Sequence, residues 1–381
     1  MRILVINAGS SSVKLRMVEA DDSVTLSLDL PAMDGASEVA ALTAELEELS
    51  HVDAIGHRVV HGGDRFKDSV KIDDEVVHEL RSLVDLAPLH QPRSLAALEI
   101  ASDVLPNTPR VACFDTAFHA TMPAEASIYA IPEAWRERWG IRRYGFHGLS
   151  HSYASRRAAE LLERSPVGLR VVTCHLGAGA SLAAVRDGVS VDTTMGFTPL
   201  EGLVMATRSG DFDPGAVLWL QEQGGLSAAE VSAALEHRSG LLGLAGTSDM
   251  RAVVAAADAG EANGRLALDV YLHRLRAGIA AMTAALGGLD ALVYTGGMGE
   301  NSPVVRARAA AGLEFLGIAV DHARNDTVNG DADVTASGAA VRTLVVAARE
   351  DLEIARQVRR VLLHGNEPMR AVCVQPRNSR S

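Results

Sequence analysis

Arg2-Ile3-Leu4-Val5-Ile6-Asn7-Ala8-Gly9-Ser10-Ser11-Ser12-Val13-Lys14-Leu15-Arg16-Met17-Val18 opens the chain as an apolar run, a turn of small residues and a second apolar-rich run. The first run is β-branched and too short for a helix, so it reads as a strand. Gly9 lets the backbone come close to a ligand. The serine hydroxyls and backbone N–H groups around it can form an anion-binding nest, and Lys14 can add a point charge for a phosphate oxygen. A solvated, serine-rich hairpin turn explains the stretch equally well when it is read alone. It is not a Walker A loop, because G-x-x-x-x-G-K-[ST] is absent. The pattern returns at Arg170-Val171-Val172-Thr173-Cys174-His175-Leu176-Gly177-Ala178-Gly179-Ala180-Ser181, followed by Leu182 to Arg186 and Val189 to Asp192. In this alignment Asn7 matches His175 and Gly9 matches Gly177. The repeat predicts an internal duplication: two halves face a cleft, each offering it a small-residue turn.

With 381 residues, 48% hydrophobic and 22% charged, the chain is long enough for two cores. A net charge of −12 argues against non-specific nucleic-acid binding. Cys113, Cys174 and Cys373 include no Cys-x-x-Cys pair, so neither a zinc site nor a disulfide framework is expected. The first two lie in strand-like runs and read as buried thiols. No signal-peptide pattern or membrane-length apolar run is present, and the expected location is the cytoplasm.

Between the two repeats, Ser23 to Leu30 alternates as a strand, Glu38 to Leu49 has helical spacing, and Ala54 to Val60 returns to a strand. Val76 to Leu86 and Arg93 to Ser102 read as helices, and Arg110 to Phe114 as a strand delivering Asp115. A basic-aromatic patch at 142–151 leads into a helix from Ser152. Later come helices at Pro214 to Gln223, Ala228 to Glu236 and Leu266 to Leu286. The strand Ala291 to Thr295 opens onto a glycine turn at 296–301. A last strand, Thr343 to Ala347, and a last helix, Arg349 to Leu363, precede a polar tail read as disordered. Strands followed by helices, with polar loops at strand ends, describe an α/β architecture.

Three phosphate-type turns at strand ends point to a nucleotide. Arg58 and Arg208 sit in loops beside glycines, where a guanidinium can clamp a carboxylate or a transferring phosphoryl group. Phosphoryl transfer asks mainly for positioning and positive charge, which two arginines, a histidine and a magnesium ion supply. His147 can donate to a phosphoryl oxygen. Asp115 can hold a metal-bound water, orient an arginine or act as a base. His57, His61, His90, His119, His151 and His175 match no zinc spacing and read as separate loop residues.

Six stretches together resemble acetate kinases: 7–14, Gly-His-Arg-Val-Val-His-Gly-Gly at 56–63, Phe-Asp-Thr-Ala-Phe-His at 114–119, Arg-Tyr-Gly-Phe-His-Gly-Leu-Ser-His at 143–151, Asp-Thr-Thr-Met-Gly-Phe-Thr-Pro-Leu-Glu-Gly at 192–202, and Thr-Gly-Gly-Met-Gly-Glu-Asn-Ser at 295–302. The resemblance runs from Met1 to about Leu363. It implies two duplicated actin-like (ribonuclease H-like) domains facing a central cleft. These would be 1–118, completed by a C-terminal helix at 352–365, and 119–351, with 366–381 outside both. It implies a homodimer that transfers the ATP γ-phosphoryl group reversibly to acetate, with Mg2+ (or Mn2+). On this sequence, Arg58 would bind the carboxylate, Arg208 and His147 would stabilise the transition state, and Asp115 would orient Arg58 or the metal. Asn7 and Glu350 would flank the metal. Val60, Leu89, His90, Phe146 and Pro199 would surround the acetate. Ser10, Ser12 and Lys14 would line the phosphate path. His175, Leu176, Gly177, Ala178, Gly179, Asp249, Met250, Arg251, Gly297, Met298, Gly299, Glu300 and Asn301 would hold ATP or ADP.

The chain departs from the family pattern at Gln91, Leu149, Ala178, Ala206 and Arg349. Ala178 stands where Asn is usual and removes a side-chain contact to ATP. Arg349 stands where Asn is usual and adds a positive charge beside the expected metal position. Two alternatives therefore accompany acetate kinase: a propionate or other short-chain acyl kinase, and a catalytically weakened ATP-binding paralogue. A chaperone-type ATPase or filament subunit leaves the arginine pair without a use.

Overall fold

The computed structural model describes residues 1–9, 12–33, 35–87 and 91–365. Twelve strands among these residues form two six-stranded sheets. The first contains β1 (Ile3–Ala8), β2 (Ser12–Val18), β3 (Val24–Pro31), β4 (Ala54–Val59), β5 (Val70–Lys71) and β6 (Arg110–Phe114), in the order β3-β2-β1-β4-β6-β5. The second contains β7 (Arg170–Leu176), β8 (Ala180–Arg186), β9 (Val189–Thr193), β10 (Ala291–Thr295), β11 (Ala332–Asp333) and β12 (Arg342–Val345), in the order β9-β8-β7-β10-β12-β11.

The two orders are the same, and so are the directions. In each sheet the first three strands form an antiparallel meander, two parallel strands follow, and a short antiparallel strand closes the edge. The registers agree as well. Ile3 lies opposite Ala54 and Val171 opposite Ala291, so counting four on from each reaches Asn7 and His175. Both meanders carry an irregularity at the same place, between Met17 and Val18 and between Ala184 and Val185. Met17 lies opposite Leu4, and Ala184 lies opposite its counterpart Val172. The turns differ by one residue. Gly9 N–H donates to Ser12 O at 2.9 Å, whereas Gly177 N–H donates to Gly179 O at 3.0 Å. The duplication read from two short stretches thus extends through whole sheets.

Both faces of each sheet are covered, as parallel strands require. Leu4, Ile6, Val13, Leu15 and Met17 pack on the helices Ala36–Glu47 and Gln91–Val104 through Leu42, Leu46, Ala97 and Ala101. Ile3 and Val5 face the other way, toward Ile354, Ala355 and Val358 of the C-terminal helix Glu350–His364. In the second sheet, Val172, Cys174, Leu182 and Tyr294 pack on the long helix Ala262–Leu286. Val171, Ala183, Ala291 and Val293 pack on Tyr153, Ala154 and Ala158 of the helix Gly148–Leu161. Leu149, at the start of that helix, is buried with the first sheet and the C-terminal helix. These two helices therefore lie between the sheets and tie them together.

Several boundaries differ from the sequence reading. The segment 76–86 is a helix Asp74–Ser82 followed by a 3-10 turn, Val84–Leu86, and Asp73 caps the helix through Val76 N–H. Residues 296–301 form a short helix rather than a glycine turn. The edge strands β5 and β11 were missed because two residues are too few to show alternation. Cys113 and Cys174 are fully buried. Cys373 and the tail after 365 lie outside the described residues. No described helix is long and apolar enough to cross a membrane.

Gly56 sits where β4 meets the C-terminal helix. A Cβ there would lie 2.4 Å from Ile354 Cγ2 and 2.8 Å from Val358 Cγ2. Gly56→Ala is therefore expected to lose about 1–3 kcal/mol by overpacking. Urea unfolding measures this, and a midpoint equal to the parent's would overturn it.

Candidate active site

The C-terminal ends of the parallel strands are the place where α/β sheets bind ligands. Here Asn7, Arg58 and His175 are each the last but one residue of β1, β4 and β7, while β6 leads into Asp115 and β10 into Gly296. Strands from both sheets thus deliver residues to one cleft. A cavity of about 520 Å³ is lined by Asn7, Gly9, Ser12, Lys14, Arg58, His147, His175, Gly296, Gly297 and Glu350. A second, of about 650 Å³, is lined by Gly177, Ala178, Ala206, Asp249, Met250, Arg251, Gly297, Met298 and Asn301. Gly297 borders both.

Asp115 is 1% exposed and anchors the first cavity. Its two oxygens accept from Arg58 Nε at 3.0 Å and Nη2 at 2.5 Å. Arg58 Nη1 donates to Asn7 Oδ1 at 3.0 Å, and Asn7 Nδ2 donates to Glu350 Oε2 at 2.9 Å. Burial alone would lower the Arg58 pKa, but Asp115 and Glu350 outweigh it and hold the guanidinium charged. Burial pushes the Asp115 carboxyl upward against the pull of Arg58. A guanidinium has five N–H groups, and three are used among the described residues. Among those residues one N–H remains on each terminal nitrogen, which matches a carboxylate.

The Asp115 carbonyl accepts from Gly148 N–H at 2.9 Å, and a Cβ on Gly148 would come within 2.2 Å of that oxygen. This close approach sets the start of the helix Gly148–Leu161, and His147, just before it, takes φ +58°. Such a conformation is uncommon for a residue with a side chain and is retained where the surroundings enforce it. His147 Nε2 and Arg208 Nη1 converge on Gly179. They would lie 3.3 and 3.5 Å from a Cβ placed there. Among the described residues Arg208 donates only to Pro199 O, at 3.4 Å, and approaches Met205 Sδ. It makes no ion pair among the described residues, and burial lowers its pKa. A desolvated guanidinium without a carboxylate partner is poised for an anion.

His147 does not stand alone. Its ring lies 4.3 Å from that of His175 and 6.5 Å from that of His151, and His119 lies 5.6 Å from His151. The sequence reading treated these as separate loop residues. Only the His147–His151 spacing, one helical turn, signals proximity in the chain. Burial lowers all four pKa values, that of His119 to about 4. Each is then a neutral imidazole at pH 7.

The other expected residues are distributed unevenly. Val60 and Phe146 are buried in one apolar cluster with Ala87. Leu176 and Gly299 are buried behind the second cavity. Glu300 turns away from the cavity and accepts from Ala348 N–H at 3.0 Å. Arg251 is exposed and pairs with Asp249. Ser10, Leu89 and His90 lie outside the described residues. Arg349 pairs with Asp351 through Nε at 3.0 Å and Nη2 at 2.9 Å, so its added charge is matched locally. Gln91 is buried and bonds the backbone of His61. Ala178 and Ala206 touch, since Ala206 N–H donates to Ala178 O at 3.1 Å.

The acetokinase family matches residues 25–356. The chain is 41% identical to the acetate kinase of Carboxydothermus hydrogenoformans over 390 residues, covering 94% of this chain and 98% of that protein. It is 42% identical to the acetate kinase of Thermotoga maritima, covering 95% and 99%. Among solved structures, Porphyromonas gingivalis acetate kinase aligns with a TM-score of 0.87 at 36% identity, covering 95% and 99%. A propionate kinase from Francisella tularensis aligns with a TM-score of 0.86, also at 36% identity, covering 93% and 98%.

The neutral histidines make a pH prediction. Burial holds His57 at about 3 and His61 at about 4, and lowers the four cleft histidines as well. An unfolded histidine takes up its proton near 6.5. Between that value and the folded ones, the unfolded chain binds more protons, so stability rises with pH and falls as pH drops. The urea midpoint is expected to fall clearly from pH 7.5 to pH 5.5. A flat midpoint would mean these residues are not held neutral.

Proposed function

The chain belongs to the acetokinase family, and on that premise we propose that it catalyses reversible transfer of the ATP γ-phosphoryl group to acetate, giving acetyl phosphate and ADP. One observation carries the reading: among the described residues Arg58 keeps one N–H on each terminal nitrogen and Arg208 makes no ion pair, and His147 shares a cavity with the first and converges on Gly179 with the second. A carboxylate acceptor and a phosphoryl group need such a clamp on each side.

In this reading Arg58, oriented by Asp115 and Asn7, holds the acetate carboxylate. One acetate oxygen attacks the γ-phosphorus as the bridging oxygen leaves with ADP. Arg208 and His147 face the equatorial oxygens, where charge gathers in the transition state. Val60, Phe146 and Pro199 bound the methyl group. Ser12, Lys14 and the turn at 177–179 flank the phosphates, and the cavity lined by Asp249, Met250, Gly297, Met298 and Asn301 takes the nucleoside.

The donor set fits magnesium. Glu350 Oε2 is engaged by Asn7, while Oε1 carries no hydrogen bond among the described residues. Mg2+ is held by one or two carboxylates together with phosphates and waters, so one free carboxylate oxygen beside a phosphate path suffices. When bound there by Glu350 beside Asn7, the ion would neutralise phosphate charge. A homodimeric, cytoplasmic enzyme completes the reading that family membership supports.

A hydroxamate trap for acyl phosphate tests it, with Mg-ATP and acetate, propionate or butyrate side by side. Hydroxamate from acetate, in preference to the longer acids, is expected. No hydroxamate with any acid, despite bound ATP, would sink the kinase reading. A propionate preference would reassign the acceptor. Arg58→Ala and Arg208→Ala are each expected to lower turnover by about 100-fold or more, the scale seen when one preorganised donor is removed. Near-parental turnover in either would refute the two-arginine clamp.

A further inference from the structure

Four buried hydroxyls face the four cleft histidines, and each meets the same ring atom. Ser190 Oγ lies 2.8 Å from His119 Nδ1, Ser181 Oγ 2.9 Å from His147 Nδ1, Thr173 Oγ1 2.7 Å from His151 Nδ1, and Ser150 Oγ 2.7 Å from His175 Nδ1. Ser190, Ser181, Thr173 and Ser150 are all essentially inaccessible. Hydroxyls so placed can donate to Nδ1 or accept from it. For His119 the other ring nitrogen decides. Nε2 lies 3.0 Å from the Phe146 carbonyl, an acceptor only, so Nε2 carries the proton and Ser190 donates to Nδ1.

Ser181 decides for two histidines at once. Its oxygen lies 2.9 Å from His147 Nδ1 and 2.8 Å from His151 Nε2. A serine has one proton. It must donate to one ring and accept from the other, so neutral His147 and His151 share one tautomer. If Ser181 donates to His147, both protons sit on Nε2, and Thr173 donates to His151 Nδ1 across 2.7 Å. In the reverse arrangement both protons sit on Nδ1. Thr173 is then left to donate to Ala183 O at 3.5 Å, the outer limit of a hydrogen bond.

We propose that Ser181, backed by His151 and Thr173, is a positioning residue that locks His147 as the neutral Nε2–H tautomer and aims that N–H at the spot beside Gly179 where Arg208 also points. This rests on the proposed phosphoryl transfer, since a transferring phosphoryl oxygen is what two converging donors would serve. In the opposite tautomer, Nε2 would present a lone pair to an anionic oxygen, and the donor would be lost. The arrangement needs no titration: one proton per hydroxyl sets the direction of the whole chain from Thr173 to the cleft. Ser150 meets His175 at the same ring atom on the other wall of the cavity.

Long-range 1H–15N correlation spectra of the full chain carrying 15N-histidine, at pH 7.5, read the tautomer directly. His147→Gln identifies the signal. The expected result is a protonated Nε2 and an unprotonated Nδ1 on His147. Ser181→Ala should lower kcat about 10- to 100-fold, the scale on which partners that fix a ring tautomer act. KM for ATP and acetate should stay within about twofold, and the His147 signal should move toward mixed tautomers. Thr173→Val should shift both readouts the same way, and Thr173→Ser, which keeps the hydroxyl, should restore them. If Ser181→Ala does not fold, the Thr173 pair decides alone. A His147 proton on Nδ1, an unchanged kcat in Ser181→Ala, or equal effects of the two Thr173 variants would overturn the proposal. The tautomer is read without substrate. A parent protein that shows the expected tautomer but makes no acyl phosphate therefore fails the function, not the lock.

Discussion

The cleft depends on one buried charge pair. Arg58 and Asp115 leave the ends of adjacent parallel strands, β4 and β6, and meet in two hydrogen bonds away from water. Burying either charge alone would be costly, and removing one partner of such a pair typically costs about 3–5 kcal/mol. The pair is therefore held in one geometry, and its neighbours inherit that geometry. Asn7 is oriented by the third guanidinium bond and passes the orientation to Glu350. On the other side, the Asp115 backbone accepts from Gly148, which brings the helix start against the strand end and forces His147 into its positive-φ conformation. Candidate acceptor clamp, candidate metal carboxylate and candidate phosphoryl donor are thus fixed by one ion pair on the first sheet.

The second sheet supplies the opposing side by repeating the first. Its strand order, directions and register are those of the first sheet, so β7 must end where β1 ends relative to its neighbours. The chemistry at the two ends differs. Asn7 bonds a guanidinium and a carboxylate, whereas His175 stacks near His147 and bonds Ser150. The turn after β7 is one residue shorter, and it places Gly179 under His147 and Arg208. A side chain there would occupy the space into which both donors point.

Much of this was legible in the chain because the repeat is written in local pattern. Apolar runs flanking Gly9 and Gly177 are short-range signals, and the strand end before Asp115 follows from an apolar run that stops at a polar residue, whereas Arg58, read as a loop residue, lies within β4 opposite Cys113. The histidine cluster was not legible. His119, His147 and His175 come together only through the crossing of a helix and two sheets, and their partners are serines and a threonine that look unremarkable as sequence. The role of Glu300 was obscured for a related reason: its position in a glycine-rich stretch suggests a ligand contact, yet its carboxylate turns back to the Ala348 N–H. Sequence pattern reports which element a residue belongs to, not which way a long side chain turns.

That turn of Glu300 bears on how the two cavities communicate. Ala348 lies two residues before Glu350, so the Glu300 bond ties the short helix Gly296–Asn301 to the segment that presents the candidate metal carboxylate. The same helix is held from below by Arg306, which is 1% exposed, donates to the carbonyls of Gly299 and Glu300 at 2.8 and 2.7 Å, and has no ion-pair partner among the described residues. A buried guanidinium satisfied only by neutral acceptors is expensive, and burial lowers its pKa. Its bonds leave the helix little freedom to shift. One face of the helix borders the second cavity through Gly297, Met298 and Asn301, and Gly297 also borders the cavity of Arg58 and His147. The two cavities therefore share a wall at Gly297, and in the proposed reading that wall separates the acceptor from the nucleoside. This is the geometry that in-line transfer between two bound partners demands.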